Sequence, residues 1–180
     1  GVGLVPAGGG LAAIARKALR VNLSDLAAKG ATPLGFLLTL ALPPTVDDGW
    51  LEKFSAGLNS DCETFGCALL GGDTTGTPGP VAISVVAVGC VPRGGMVKRG
   101  GAKPGDKVFV SGTIGDGALG LAVHRRADAA RNWKLDAQAR AHLIDRYLLP
   151  QPRVGLADAL RHCASAAMDV SDGLVGDLTK

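Results

Sequence analysis

The chain has 180 residues, enough for one domain or two small ones, and its 27 glycines and 10 prolines imply frequent turns without the composition of a disordered segment. Nineteen Lys and Arg against sixteen Asp and Glu leave a net charge of +3, and the densest basic groups (Arg16, Lys17, Arg20 and Lys98, Arg99, Lys103, Lys107) are spread out, which argues against a nucleic-acid footprint. Only 4% of residues are aromatic, so the 47% hydrophobic fraction is mostly Ala, Val, Leu and Ile, a composition for helices packed closely on sheets and hence an α/β class.

The first periodic segment runs from Leu11 to Lys29, where Leu11, Ile14, Ala18, Val21 and Leu26 recur at three- and four-residue steps and Gly30 supplies a stop; an amphipathic helix is expected. Leu34 to Leu42, ended by Pro43 and Pro44, reads as a buried strand. Asp47 can cap a second helix whose core face is Trp50, Leu51, Phe54, Leu58, Cys62 and Phe65. A short strand is expected at Cys67 to Leu70, and a long one at Val81 to Val91. That last apolar run is too short for the ~20 residues that cross a bilayer, and no signal-peptide pattern opens the chain, so a cytoplasmic address is expected.

The charged Gly/Pro stretch from Pro92 to Asp106 divides the chain into an expected N-terminal α/β domain, residues 1–92, and the first part of a second α/β domain, residues 93–180. In the second, strands are expected at Lys107 to Ser111 and Ala166 to Val170. Helices are expected at about 116–131, 136–148 and 154–164, with another starting after Gly173. Cys62, Cys67, Cys90 and Cys163 have no C-x-x-C pair and no zinc-like spacing, and read as reduced, buried or half-buried thiols. The chain opens at Gly1 without an initiator Met and stops at Lys180 inside an expected helix, so both ends read as cut.

Three acidic points stand out. The run Gly71, Gly72, Asp73, Thr74, Thr75 places a carboxylate and hydroxyls after a strand, on a backbone able to approach a ligand; the alternative is a tight turn with Asp73 bonded to its own backbone. Asn22 and Asp25 share a side of the first helix, either toward a site or on a solvated face. Asp169, Ser171 and Asp172 flank a strand-to-helix turn, where two carboxylates can hold a hard cation such as Mg²⁺, although Ser171 or Asp172 alone would serve as a helix cap. Gly115, Gly117 and Gly120 spell G-x-G-x-x-G, but the residues after Gly120 read as helix, loop and helix instead of the second strand of a dinucleotide fold, and no P-loop motif occurs.

The strings VNLSDLAAKGATP at 21–33, GGDTTG at 71–76, VKRGGAKPGDKVFVSGTIGDGALGL at 97–121, RYLLPQPRVGLADAL at 146–160 and MDVSDGLVGDL at 168–178 resemble, in order and spacing, the thiamine-monophosphate kinase family of the aminoimidazole ribonucleotide synthetase-like group. The resemblance implies a two-domain α/β fold with mixed sheets, in which the N-terminal domain contributes strands to the β-barrel of a homodimer. It also implies ATP- and Mg²⁺-dependent phosphorylation of thiamine monophosphate to thiamine diphosphate, with several Mg²⁺ ions and ATP as co-substrate. Carried over by motif, Asp25, Asp73, Asp169 and Asp172 become metal ligands, and Gly72, Asp73, Arg99 and Ser171 nucleotide contacts. The family's N-terminal Asp-Asp motif and Thr-Asp string do not occur here, Gly3 stands where a substrate histidine is expected, and the second domain is truncated. Two alternatives stay open: another ATP-dependent synthetase of the group, acting on selenophosphate or aminoimidazole ribonucleotide chemistry, or a non-catalytic dimeric scaffold.

Overall fold

Helix α1 (Leu11–Ala28) buries Ala15, Leu19, Leu23 and Ala27, an i, i+4 stripe that faces one side for its whole length. These positions and all others described belong to a computed structural model that covers residues 10–126 and 128–179, so Gly3 lies outside the described residues. The helix ends as expected at Gly30. With φ at 66°, that residue lets its own N–H reach Ala27 O and the N–H of Ala31 reach Leu26 O, closing the last turn. Strand β1 (Thr32–Leu42) follows, then α2 (Asp48–Phe65), capped by the Asp47 carboxylate accepting from Trp50 N at 2.7 Å and ended by Gly66 at φ 60°.

Strands β2 (Ala68–Gly76) and β3 (Ala82–Cys90) flank β1 in the order β2-β1-β3, with β2 parallel and β3 antiparallel to it. Helices α1 and α2 cover one face, where Leu19 and Leu23, Phe54 and Leu58, and Phe36, Leu38 and Leu40 form the core. Helix α1 meets α2 at close range: a methyl group on Gly57 would sit 2.3 Å from Ala12 O. The other sheet face is uncovered in the chain alone, leaving Leu37 and its register partner Val86 exposed beside Val88.

Strand β2 is longer than its sequence suggests, running on through Gly71, Gly72 and Asp73 to Gly76. The β1 ladder imposes this. A bulge where Leu37 pairs with Gly71 lets β2 accommodate an extra residue, and Gly72 lies so tight against β1 that a Cβ there would overlap Leu38 O. The glycine expected to approach a ligand approaches the neighbouring strand.

Beyond β3 the described residues are helical and irregular. Helix α3 (Asp116–Arg125) stops short of residue 131, with Arg126 extended and α4 (Ala129–Asn132) following separately; α5 (Ala137–Leu148), α6 (Ala157–Cys163) and α7 (Leu174–Leu178) complete the order. The strands expected at Lys107 to Ser111 and Ala166 to Val170 do not form. Both have strand-like composition, but a strand exists only with a ladder neighbour, and among the described residues neither segment has one; Phe109 is left 86% exposed. The thiol expectation is also corrected in part. All four cysteines are free, Cys67 buried and Cys62 half-buried, but Cys90 and Cys163 are exposed, the first on the outward-facing edge of β3 and the second at the end of α6. No helix of the described residues is long and apolar enough to cross a membrane.

Candidate functional site

Asp25 sits in the last turn of α1, on the exposed side opposite the buried stripe, and its carboxyl meets that of the half-buried Asp169 in a side-chain hydrogen bond. Two carboxyls in contact cannot both ionise freely, and the Asp169 pKa is accordingly raised. Burial is the largest cause, followed by the charge of Asp25; the hydrogen bond to Asp25 and the charge of Asp177 push the same way, against a backbone hydrogen bond at Asp169. Asn22, expected to share this face, turns its amide onto Ala18 O of its own helix at 2.8 Å.

The segment carrying Asp169 lies against the turn that carries Arg99. Ala167 N donates to Lys98 O at 3.3 Å, and Gly101 approaches Ser165 O so closely that a side chain would overlap it. Ser165 Oγ donates to the Asp106 carboxylate at 2.6 Å, which fastens the Pro-Gly-Asp loop to the same segment and lowers the Asp106 pKa. Arg99 itself is exposed in the short helical turn Arg99–Gly101. Val97 N bonds to Lys29 O at 3.1 Å, so this layer is tied back to the end of α1 where Asp25 stands.

Asp73 is exposed in the middle of β2, register partner of Thr39, with Oδ1 accepting from Thr74 N at 2.9 Å, the local bond its alternative reading anticipated. Ser171 and Asp172 are exposed just before α7, and both backbone N–H groups donate to one oxygen of Asp177. Among the described residues no three acidic, His or Cys side chains are grouped closely enough to hold a metal ion, so the structure joins Asp25 to Asp169 and does not gather Asp73 or Asp172 into the same cluster. A shallow groove lined by Ser111, Gly112, Pro152, Arg153 and Leu156 lies elsewhere and includes none of these residues.

The G-x-G-x-x-G string has a structural explanation. Gly115 precedes α3 at φ 98°, and Gly120 packs on α5, where a Cβ would lie 2.0 Å from Leu143 O, so its glycines serve a turn and a helix–helix contact. Sequence reasoning missed two acids. Asp61 is fully buried between Arg16 and Arg20, and Asp177 is 2% exposed. Asp61 had no signal beyond being one acid on a helix, whereas Asp177 stands within the last family-like string, four residues past a glycine that turns the chain.

An α/β layer with a mixed three-stranded sheet, followed by a segment presenting acids to the end of its first helix, defines the class. Residues 9–91 match the family model described as AIR synthase related protein, N-terminal domain, and this half of the chain has that fold. Over a wider span the chain is similar to thiamine-monophosphate kinases. It is 48% identical to the thiamine-monophosphate kinase of Caulobacter vibrioides over 164 residues, 91% of this chain and 44% of that protein. It is 47% identical to that of Escherichia coli K12 over 166 residues, 92% of this chain and 49% of that protein. The solved structure of AaThiL complexed with AMPPCP and TMP superposes with a TM-score of 0.82 at 36% identity, covering 93% of this chain and 52% of that one. The chain thus spans about half the length of the curated relatives it matches.

Proposed function

We propose that the protein transfers the γ-phosphoryl group of ATP to the phosphate of thiamine monophosphate, giving ADP and thiamine diphosphate, in a Mg²⁺-dependent reaction. The observation that carries the reading is the Asp25–Asp169 carboxyl pair, held on two of the strings that resemble the kinase family. The relative solved with AMPPCP and TMP supports ATP and thiamine monophosphate as the two substrates.

The pair fits a hard divalent cation: its donors are carboxylate oxygens, and burial together with the neighbouring Asp25 charge raises the Asp169 pKa, a cost that a cation between the two would offset. Asp25 and Asp169 would hold Mg²⁺, with Asp73 and Asp172 as further ligands. When bound, Mg²⁺ would offset the charge of two phosphate-bearing substrates, the main demand of phosphoryl transfer. The chain's own contribution is positioning. Gly72 and Asp73 on β2 and Ser171 before α7 are proposed nucleotide contacts, and Arg99 presents a planar guanidinium suited to a phosphate oxygen pair. The turn bearing Arg99 is braced against the Asp169 segment, which ties the backbone beside Arg99 to that beside Asp169.

The division at residue 92 and a cytoplasmic address belong to the same proposal, as does a homodimer built on the uncovered sheet face around Leu37, Val86 and Val88. Incubating the full-length protein with ATP, Mg²⁺ and thiamine monophosphate, with product identified by mass spectrometry, tests the function. Thiamine diphosphate is the expected product, and its absence refutes the assignment. Turnover with selenide or an aminoimidazole ribonucleotide precursor in its place would favour the related synthetases.

A further inference from the structure

Asp177 is 2% exposed yet lies in a five-residue helix at the surface, and burial of a carboxylate is costly unless hydrogen bonds compensate it. Its Oδ2 accepts two, from Ser171 N at 2.8 Å and Asp172 N at 2.9 Å. Both donors belong to the turn after Asp169. Because Ala166 to Val170 forms no ladder, backbone bonds to neighbouring strands do not set the orientation of this turn. It is held upstream by Ala167 N on Lys98 O and downstream by Asp177. Gly173, at φ 111° and ψ 145°, supplies the backbone conformation that lets the chain reverse so that both N–H groups meet one oxygen.

We infer that Asp177 is a positioning residue for the cation site: its buried carboxylate, bonded to the N–H groups of Ser171 and Asp172, fixes the backbone from which Asp169 and Asp172 are presented, without itself ligating the ion. The inference rests on the metal role proposed for Asp169 and Asp172. One oxygen in this position serves as a doubly bonded acceptor, and it is this acceptance that orders the turn.

The test is Mn²⁺ binding to the full-length protein, followed by the electron paramagnetic resonance signal of free Mn²⁺, alongside thermal melting and the dependence of turnover on Mg²⁺. In Asp177→Ala the half-saturating Mn²⁺ concentration is expected to rise about tenfold, the scale of losing one to two hydrogen bonds. The apparent KM for Mg²⁺ should rise with it, while kcat at saturating Mg²⁺ largely recovers. Asp177→Asn keeps a carbonyl oxygen able to accept both N–H groups and should stay within about threefold of wild type. Wild-type affinity in a folded Asp177→Ala overturns the inference, as does an Asp177→Asn as weak as the alanine variant, since charge and not acceptance would then be what matters. Should Asp177→Ala not fold, Gly173→Ala takes its place. No atom lies within 4 Å of where its Cβ would stand, so it disturbs only the turn and should weaken Mn²⁺ binding, and unchanged affinity there overturns the inference equally. Wild-type protein that binds no Mn²⁺ overturns the metal reading and this inference with it, whereas wild-type binding that Asp25→Asn weakens and Asp177→Ala leaves intact overturns this inference alone.

Discussion

Arg20 grips both carboxylate oxygens of Asp61, Nε to Oδ2 at 2.6 Å and Nη2 to Oδ1 at 2.8 Å, inside the contact between α1 and α2. Arg16 adds a third bond at 3.0 Å, and Arg20 Nη1 reaches Pro150 O at 3.1 Å. Removing one partner of a buried pair strands the other, at a cost of about 3–5 kcal/mol. Asp61→Ala should therefore lose that much stability in urea unfolding, although no proposed site residue is touched. A loss below about 1 kcal/mol would mean the pair behaves like a solvated surface bridge.

Lys17 extends the same seam. Its Nζ donates to Tyr147 O at 2.7 Å and lies 3.5 Å from the centre of the Tyr147 ring, while burial lowers its pKa from 10.5 to about 8. A folded-state pKa below the unfolded one means that the unfolded chain binds more protons between about pH 8 and 10.5, so this group makes stability rise with pH across that window. Lys17→Met should abolish that part of the slope. Parallel stability curves for the two proteins between pH 8 and 10.5 would contradict the assignment.

For the acid pair the sign is reversed. The Asp169 pKa lies above its ordinary value, so the stability it contributes is complete below the unfolded carboxylate pKa of 3.8 and is lost as pH rises through the folded value. At pH 7 without divalent cations, Asp169→Asn should raise the melting temperature. Mg²⁺ should then stabilise the wild type and not the variant. A variant that melts lower than wild type under both conditions would remove the carboxyl pair as a source of strain.

Asp73→Asn retains an oxygen for Thr74 N and removes one charge. With a metal or nucleotide role, kcat should fall at least ~100-fold with the fold unchanged, the scale seen when a positioned electrostatic group is lost. Near-normal turnover would reduce Asp73 to a local backbone partner on β2.

Val86 and Leu37 face each other across β1 and β3 on the uncovered side of the sheet. The full-length protein should sediment as a dimer at micromolar concentration, and Val86→Lys should dissociate it, because an ammonium group tolerates burial in an apolar contact poorly. A monomeric wild type would rule out this face as the interface.

The elements legible from sequence are those whose signal is local. The helical period of α1 with its Gly30 stop, the Asp47 cap of α2 and the apolar runs of β1 and β3 need no knowledge of neighbours. The face α1 buries, however, is Ala15, Leu19, Leu23 and Ala27 instead of the expected Leu11, Ile14, Ala18, Val21 and Leu26, and Val21 is exposed. Where neighbours decide, the reading departs from the structure. Gly72 to Gly76 resemble a turn and become strand because β1 is there to pair with them, and Val108 to Val110 resemble a strand and stay unpaired. Acidic residues on the family-like strings were visible as candidates, and Asp25 and Asp169 do meet. The acids of structural consequence, Asp61 and Asp177, were not visible. Their importance comes from donors supplied by Arg20, and by the backbone of Ser171 and Asp172, which only the folded chain brings to them.

The bonds from Lys17 and Arg20 end on main-chain carbonyls, those of residues 147 and 150. A joint of that kind recognises the path of the chain and is largely indifferent to which side chains line it. Evolution can therefore rewrite the residues after α5 with little effect on how the two halves fit, apart from the ring under Lys17. It cannot lengthen the segment freely: inserting one residue in α5 between Leu143 and Tyr147 would rotate the Tyr147 carbonyl by about 100° relative to Leu143, and α1, with Asp25 at its far end, would lose that hold on α5.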